Sequence, residues 1–155
     1  MEWMYIHTMK QQEATDRHQI VTLPCACANL RRAARLVSQR YERAMRPAGI
    51  KGTQFTLLQA LTLAGEVSQG KLGELLGLDS TTLTRTLALL KKKGWIESRP
   101  GEDRRVVRLA LTPSGKRKYQ TALRYWESAQ KKLRKALGET SWNQIMEATV
   151  RAAAV

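Results

Sequence analysis

The sequence has few cysteines, few histidines and few acidic residues, and each shortage excludes a class of protein. Of the 155 residues, two are cysteine, two are histidine and 13 are aspartate or glutamate. Two cysteines cannot build the disulfide framework of a small secreted domain. The sequence also shows no acid–base pair, no nucleophile with a histidine partner and no metal-ligand cluster. We therefore expect no enzyme activity, no metal site and no cofactor.

Long apolar runs are also absent. A membrane-spanning helix needs about 20 predominantly apolar residues, and no stretch of this sequence approaches that length. The acidic second residue, Glu2, and the lack of an apolar core behind it argue against a signal peptide. We expect a cytoplasmic protein with no membrane partner.

Basic residues are what the sequence has in excess. Lysine and arginine number 27, which leaves a formal net charge of +14. Such a charge favours a polyanionic partner, with nucleic acid as the first candidate and an anionic membrane surface as the alternative. Residues 91–118 alone hold ten basic and three acidic residues. Because this excess concentrates around a predicted basic hairpin that follows a DNA-binding motif, it favours double-stranded DNA.

That motif is a helix-turn-helix at residues 68–93. Residues 68–77 begin with a small capping residue, and a short helix follows whose apolar face holds Leu72, Leu75 and Leu76. A second helix is predicted from Thr81 to Lys93, with Asp79 or Ser80 as its cap. Its two sides differ in character. Leucines at 83, 87 and 90 form the apolar side, and the opposite side carries Thr81, Arg85, Ala88 and Lys92.

A basic hairpin follows the second helix. Residues 95–99 and 105–111 are predicted as strands, and 100–104 as the turn between them. A helix-turn-helix with such a hairpin is a winged helix, whose second helix enters a major groove while the wing reaches the backbone and the minor groove. We therefore predict DNA-binding residues at Ser80, Thr81, Thr82, Thr84, Arg85, Arg99, Arg104 and Arg105.

Amphipathic helices flank the winged helix. Residues 23–47 and 113–137 carry apolar side chains at steps of three and four, a compact helix is predicted at 52–64, and a last helix follows Gly138 with Thr140 or Ser141 as its cap. These faces exceed what one small core needs, which indicates a homodimer. The stripe predicted to be buried on the first helix consists of Cys27, Leu30, Ala34, Val37, Tyr41 and Ala44. Interface or terminal-core positions are predicted at Trp126, Leu133, Trp142 and Ile145.

The predicted fold is mainly α, a winged helix-turn-helix with a two-stranded β-wing, plus terminal helices that form a dimerisation domain. Residues 1–21 are expected to be mobile and 22–50 to form a dimerisation helix. The DNA-binding domain would occupy 51–112, and the C-terminal dimerisation helices 113–155.

Several motifs in this order resemble the MarR-type transcriptional regulators, over roughly residues 25–148. They are residues 78–85 (LDSTTLTR), 93–97 (KGWIE), 103–105 (DRR) and 111–115 (LTPSG). The resemblance implies a dimer in which the first and last two helices interlock, with one winged helix on each side. It also implies that Asp103 pairs with Arg105 and holds this arginine extended into the minor groove. At the start of the 52–64 helix the family usually has a capping hydroxyl where this sequence has Lys51, so we expect a weakly fixed end there.

The cysteines allow several interpretations. Cys25 and Cys27 are two residues apart, so on a helix they would point in nearly opposite directions and could not easily bond each other. Cys27 on a buried stripe is first of all a packing residue. Its place in a first helical turn, which lowers a thiol pKa, also allows a redox sensor. The resemblance to organic-hydroperoxide regulators of the family places their reactive cysteine at Cys27, with Tyr41 as a partner, although Arg31 and Gly52 stand where those proteins have further tyrosines. Metal binding by Cys25, Cys27 and a histidine is a more distant possibility.

The function predicted from these features is sequence-specific transcriptional regulation. A homodimer would bind a palindromic operator and repress transcription until a small-molecule ligand or an oxidant releases it. The alternative is a sequence-independent architectural, nucleoid-type DNA-binding protein. The preference for one site over random DNA separates the two, since a regulator should favour its site by about 10³-fold or more.

Overall fold

A computed structural model describes residues 24–101 and 106–154. In chain order, the elements are α1 (Ala26–Met45), a short 3-10 helix (Arg46–Ala48), α2 (Gly52–Ala64), β1 (Val67–Ser68), α3 (Gln69–Leu76), α4 (Ser80–Lys92), β2 (Ile96–Pro100), β3 (Val107–Leu111), α5 (Pro113–Leu137) and α6 (Glu139–Ala153). The mainly α winged-helix architecture predicted from the sequence is confirmed. The predicted mobile segment at 1–21 lies outside the described residues.

The chain divides into two units, and the boundary falls inside α1 between Leu36 and Val37. In the first unit the described part is the start of α1, where Cys27, Leu30 and Ala34 are all exposed. The prediction that these positions are buried is wrong for the single chain, because helical periodicity reports that one face is apolar and not what covers it.

The second unit, residues 37–155, contains the hydrophobic core. Phe55 stacks on Tyr119 and Trp126, with ring centroids 5.4 and 5.8 Å away. All three leucines predicted for the apolar side of α4 are buried, as expected. The buried apolar side chains are Met45, Ala48, Ile50, Phe55, Leu57, Leu58, Ala60, Leu61, Val67, Leu72, Leu83, Leu87, Leu90, Trp95, Ile96, Leu109, Tyr119 and Ala122.

The start of α2 is firmly held, contrary to the expectation at Lys51. The backbone N–H of Gly52 donates to the Glu42 carboxylate at 2.6 Å. The N–H of Lys51 donates to Oε1 of Gln54 at 3.2 Å. These acceptors satisfy N–H groups that a helix start leaves without intrahelical partners. Glu42 is ten residues away in sequence, so no local capping pattern revealed it.

The two helices of the helix-turn-helix begin at side-chain caps. Ser68 accepts from the Lys71 N–H at 3.2 Å, and Asp79 accepts from the Thr82 N–H at 2.8 Å. Between the helices Gly77 has φ +59°, a left-handed conformation that glycine adopts at little cost. Leu75, predicted on the apolar face of α3, is instead 59% exposed.

Within the described residues, the sheet has three antiparallel strands in the order β1–β3–β2, so β1 adds a strand to the predicted two-stranded wing. Val67 pairs with Leu109 and Ser68 with Arg108. On the other edge, β2 pairs with β3 from Ile96–Leu111 to Pro100–Val107. A strand of two residues is too short to show an alternating pattern, which is why the sequence did not predict β1.

The C-terminal helices begin and end near the predicted positions. Thr112 caps α5 by accepting from the Gly115 N–H at 3.0 Å, and Gly138, at φ +77°, separates α5 from α6. Helix α6 starts directly after this glycine, so Thr140 and Ser141 lie inside it and do not cap it. None of the described helices combines the length and apolar character needed to cross a membrane.

Candidate nucleic-acid interface

The start of α4 presents polar side chains to solvent. Its buried leucines hold one side of the helix against the core. The five residues predicted to read DNA on this helix are all exposed: Ser80, Thr81, Thr82, Thr84 and Arg85. The structure therefore brings them together on one accessible surface, which we call the α4 face.

Asp79 and Thr82 are bound to each other at the start of this face. Besides the backbone cap, the Thr82 hydroxyl donates to Asp79 Oδ2 at 2.6 Å. This hydroxyl bond, followed by the bond from the Thr82 backbone N–H, lowers the pKa of Asp79 from its ordinary value. The hydroxyl proton of Thr82 is thus occupied by the cap, while its oxygen remains exposed.

Gln69 contacts the α4 face from the neighbouring helix. Its Nε2 donates to Thr84 Oγ1 at 3.1 Å across the helix-turn-helix. The sequence prediction missed Gln69, since the contact depends on how α3 and α4 cross and the two residues are 15 positions apart.

The wing contributes arginines from both of its long strands. Arg99 on β2 is exposed and forms an ion pair with Glu97. Directly opposite on β3 lies Arg108, a basic residue that was not among the predicted site residues. Beyond the last paired residues of these strands, the Gly101 N–H donates to the Val106 carbonyl at 2.8 Å. The predicted Asp103, Arg104 and Arg105 lie outside the described residues.

A tryptophan fixes the base of the wing to the core. Trp95 is buried, and the ammonium groups of Lys93 and Lys118 lie 4.5 and 5.0 Å from its ring centroid. Lys118 also donates to the Ala48 carbonyl at 2.7 Å. The Thr112 hydroxyl donates to the Gly94 carbonyl at 2.6 Å. The bond between Thr112 and Gly94 joins the two ends of the hairpin, and the buried Trp95 anchors them to the core.

A depression of about 240 Å³ lies between the start of α2 and the α4 face. Lys51 and Arg85 both line it, together with the hydroxyl-bearing Thr53. Two cations and a hydroxyl beside an exposed helix suit a phosphate group of a bound duplex. Lys51, like Arg108, was not among the residues predicted from the sequence to contact DNA.

A cavity of about 280 Å³ lies on the other side of α2. Tyr41, Phe55 and Trp126 supply aromatic walls, and Glu42 and Gly52 lie beside them. The Tyr41 hydroxyl donates to the Gln130 side chain. Partial burial raises the pKa of Tyr41. The cavity offers room for a small, mostly apolar molecule.

The two cysteines are free and exposed. Helix α1 begins at Ala26, so Cys25 precedes the helix, and its carbonyl accepts the Asn29 N–H at 3.1 Å. Only Cys27 lies on the helix, so the two cysteines do not share one helix as predicted. In the described part of the chain, no three His, Cys, Asp or Glu side chains come close enough to hold a metal ion.

Comparisons with known proteins place the winged helix in a family. Residues 48–106 match the sequence profile described as the MarR family. The chain is 30% identical over 91 residues to the uncharacterized HTH-type transcriptional regulator YwoH of Bacillus subtilis, a match that covers 59% of this chain and 66% of that protein. It is 38% identical over 85 residues to the multiple antibiotic resistance protein MarR of Salmonella typhimurium, covering 52% of this chain and 59% of that protein. The chain thus spans about three fifths to two thirds of the length of these curated relatives.

Solved structures extend the likeness beyond the winged helix. The M. tuberculosis transcriptional regulator MosR in complex with DNA superimposes with a TM-score of 0.76 at 32% identity, over 84% of this chain and 94% of that one. A cysteine-to-serine variant of MarR from E. coli in complex with operator DNA gives a TM-score of 0.70 at 25% identity, over 85% and 99% of the two chains. Sequence and structure agree, and the chain belongs to the MarR family of transcriptional regulators.

Proposed function

We propose that this protein is a sequence-specific DNA-binding transcriptional regulator. The observation that carries the proposal is the α4 face, where hydroxyls and one arginine are exposed on a helix whose opposite side is anchored in the core. Such a helix fits the major groove, and the arginine suits bidentate bonds to guanine. Relatives solved with DNA support the proposal.

The regulator acts as a homodimer on a palindromic operator. Helix α1 exposes Leu30 and Leu36, and α6 exposes Ile145, Met146 and Val150. Apolar side chains in such number on terminal helices are suited to a partner subunit. Two-fold symmetry of the dimer then requires an inverted repeat, with half-sites about one helical turn apart.

The proposal is tested by selecting bound fragments from random DNA and comparing Arg85→Ala with wild type. Arg85→Ala should cost about 1–3 kcal/mol at one preferred base position in each half-site. Lys92→Ala is the matched control, because Lys92 is a basic, exposed residue at the far end of the same helix. It should alter binding little, and equally for all sequences.

The dependence of affinity on salt concentration distinguishes contacts to the DNA backbone from contacts to the bases. The logarithm of affinity should fall linearly with the logarithm of salt concentration, with a slope of about −0.9 per neutralised phosphate. Arg104→Ala or Arg105→Ala should weaken binding to every sequence and flatten this slope. Equal losses for Arg85→Ala on selected and random DNA would instead favour a sequence-independent architectural protein, which the net charge of +14 also allows.

Repression ends when an effector, a small-molecule ligand or an oxidant, releases the protein from DNA. Two features support this part of the proposal: the aromatic-walled cavity beside α2, and the exposure of Cys27 near the start of α1. Hydrogen peroxide oxidises an accessible cysteine thiolate to a sulfenic acid. A polar oxygen on an apolar interface helix would disfavour the dimer arrangement that binds DNA.

Cysteine variants distinguish the two kinds of effector. Hydrogen peroxide should release the wild-type protein from operator DNA and leave Cys27→Ser bound, with Cys25→Ser responding like wild type. Binding is measured by fluorescence anisotropy before and after oxidation. A wild-type protein that stays bound in peroxide would make Cys27 an interface packing residue and leave a small apolar ligand in the cavity as the effector.

A further inference from the structure

Gln69 and Thr84 join the two helices of the helix-turn-helix. Gln69 is the first residue of α3, half-buried, and its Nε2 donates to Thr84 Oγ1 at 3.1 Å. Thr84 lies in the second turn of α4 with an exposed side chain. The backbone just before Gln69 is held in place, since Val67 and Ser68 form β1 and pair with the central strand, β3.

This contact decides what the Thr84 hydroxyl offers to a ligand. Several helical threonines use their proton internally and donate it to a carbonyl four residues earlier: Thr56, Thr62, Thr86 and Thr121. At Thr84, the bond from Gln69 occupies one of the two lone pairs of the oxygen instead, and among the described residues no acceptor takes the hydroxyl hydrogen, which can point outward. Thr84 is therefore presented as a hydrogen-bond donor.

Thr84 also lies on the proposed base-reading surface. Thr81, Thr84, Arg85 and Ala88 are spaced by three and four residues, so they share one side of α4. In a major groove, guanine O6 and thymine O4 accept hydrogen bonds, whereas cytosine N4 and adenine N6 donate them. A donor at this point therefore favours guanine and thymine most clearly over cytosine, which presents no acceptor in the major groove, while adenine keeps one acceptor at N7.

We infer that Gln69 is a specificity-determining residue, which fixes the Thr84 hydroxyl as a donor and so favours a keto base, guanine or thymine, over cytosine at one position of each half-site. The inference rests on the proposed sequence-specific DNA binding. Gln69 acts through Thr84, so its effect should appear in the ratio of affinities for two bases and not only in overall affinity.

The first experiment measures that ratio in a double-mutant cycle. Fragments selected from random DNA by the wild-type protein identify the position, where a keto base should be preferred over cytosine by roughly tenfold. Gln69→Leu and Thr84→Val should each reduce the preference to near twofold or less, and the double variant should reduce it no further. Thr86→Val is the matched control, because its hydroxyl is already bound to the Thr82 carbonyl, and it should leave the preference unchanged.

The second experiment reverses the direction of the hydrogen bond between residue 69 and Thr84. In Gln69→Glu the carboxylate accepts the proton of Thr84, which leaves an oxygen lone pair facing outward. The preferred base at the same position should change to cytosine or adenine, whose amino groups donate. The added negative charge should lower affinity for all DNA, so the ratio between sites is the quantity compared. Circular dichroism of each variant shows whether the fold is retained.

The outcomes separate this inference from the proposed function. If Gln69→Leu leaves the ratio unchanged while Thr84→Val abolishes it, Gln69 does not orient Thr84 and the inference is wrong. The same conclusion follows if Gln69→Leu still alters the ratio in the Thr84→Val background. A wild-type protein without base preference at any position overturns the proposed function, and this inference with it.

Discussion

At the scale of single residues, Gly115 occupies a position that no larger residue can share. A Cβ there would lie 1.9 Å from the Trp95 carbonyl oxygen and 2.8 Å from its carbonyl carbon. Both atoms are backbone, and the same oxygen accepts the Thr112 N–H at 3.1 Å. No flexible side chain can give way, so α5 can approach the base of the wing only through this glycine.

Gly115→Ala should therefore lower the free energy of unfolding by about 1–3 kcal/mol, the usual cost of forcing extra volume into a packed region. Urea denaturation measures the change. Gly70→Ala in α3 is the control, since a Cβ there meets nothing within 4 Å. That substitution should instead raise the free energy of unfolding by about 0.5–1 kcal/mol. Equal stability of Gly115→Ala and wild type would contradict the close approach.

Residue-level features were predictable from the sequence where they depend on near neighbours. The caps at Ser68, Asp79 and Thr112 bind backbone groups three residues ahead, and such local spacing is visible in a sequence. The bond from Gln69 to Thr84 and the bond from Lys118 to Ala48 were not predictable. Each depends on how separate elements pack, and the second joins residues 70 positions apart.

At the scale of elements, the cap of α4 makes stability depend on pH. The Asp79 carboxylate accepts bonds from Thr82, and its pKa is lowered in the folded protein. Ionisation of Asp79 therefore stabilises the folded protein. This contribution to stability is complete above the ordinary pKa of 3.8, and it is lost as the pH falls through the lower pKa that Asp79 has in the folded protein.

Asp79→Asn should keep an acceptor at the cap and lose this dependence. Denaturation in urea at pH 7 and at pH 3 should show a smaller loss of stability on acidification than in the wild-type protein. Asp79→Ala, which removes the acceptor altogether, should be less stable than Asp79→Asn at both pH values. Identical acid sensitivity of wild type and Asp79→Asn would show that the carboxylate at this cap does not contribute.

Helices were predicted better than strands because they are longer and carry a stronger pattern. The range 52–64 predicted for α2 matches the structure, and α4 begins one residue before its predicted start. By contrast, β1 has two residues and no pattern of its own. Leu75 shows a further limit: three leucines on a short helix indicate an apolar face, but only the packing of α3 decides which of them is buried.

At the scale of the whole molecule, the exposed apolar residues of α6 predict how the protein assembles. Met146 is 48% exposed in the single chain, so an aspartate there should cost one subunit little. In a dimer interface the same aspartate would be a buried, unpaired charge. Met146→Asp should therefore sediment as a monomer and bind operator DNA weakly, while retaining its helical circular dichroism.

Leu63→Asp is the matched control for this prediction. Leu63 is 81% exposed on α2, outside the terminal helices, so this variant should remain dimeric. A wild-type protein that sediments as a stable monomer at micromolar concentration would refute the proposed assembly.

The charge of the molecule and its winged helix were predictable from sequence, since both follow from composition and local pattern. What covers the terminal helices was not predictable in detail, because the proposed covering is a second chain.

The central position of β3 has a consequence for the lifetime of the wing. A lone hairpin is marginally stable and forms within about 1–10 μs. Here β3 is bonded to β2 on one side and to β1 on the other, and Leu109 at its middle is fully buried. The strands of the wing can separate from the domain only when part of the core opens with them, an event that belongs to the slow timescale of unfolding. The strands of the wing are thus already formed when the protein encounters DNA.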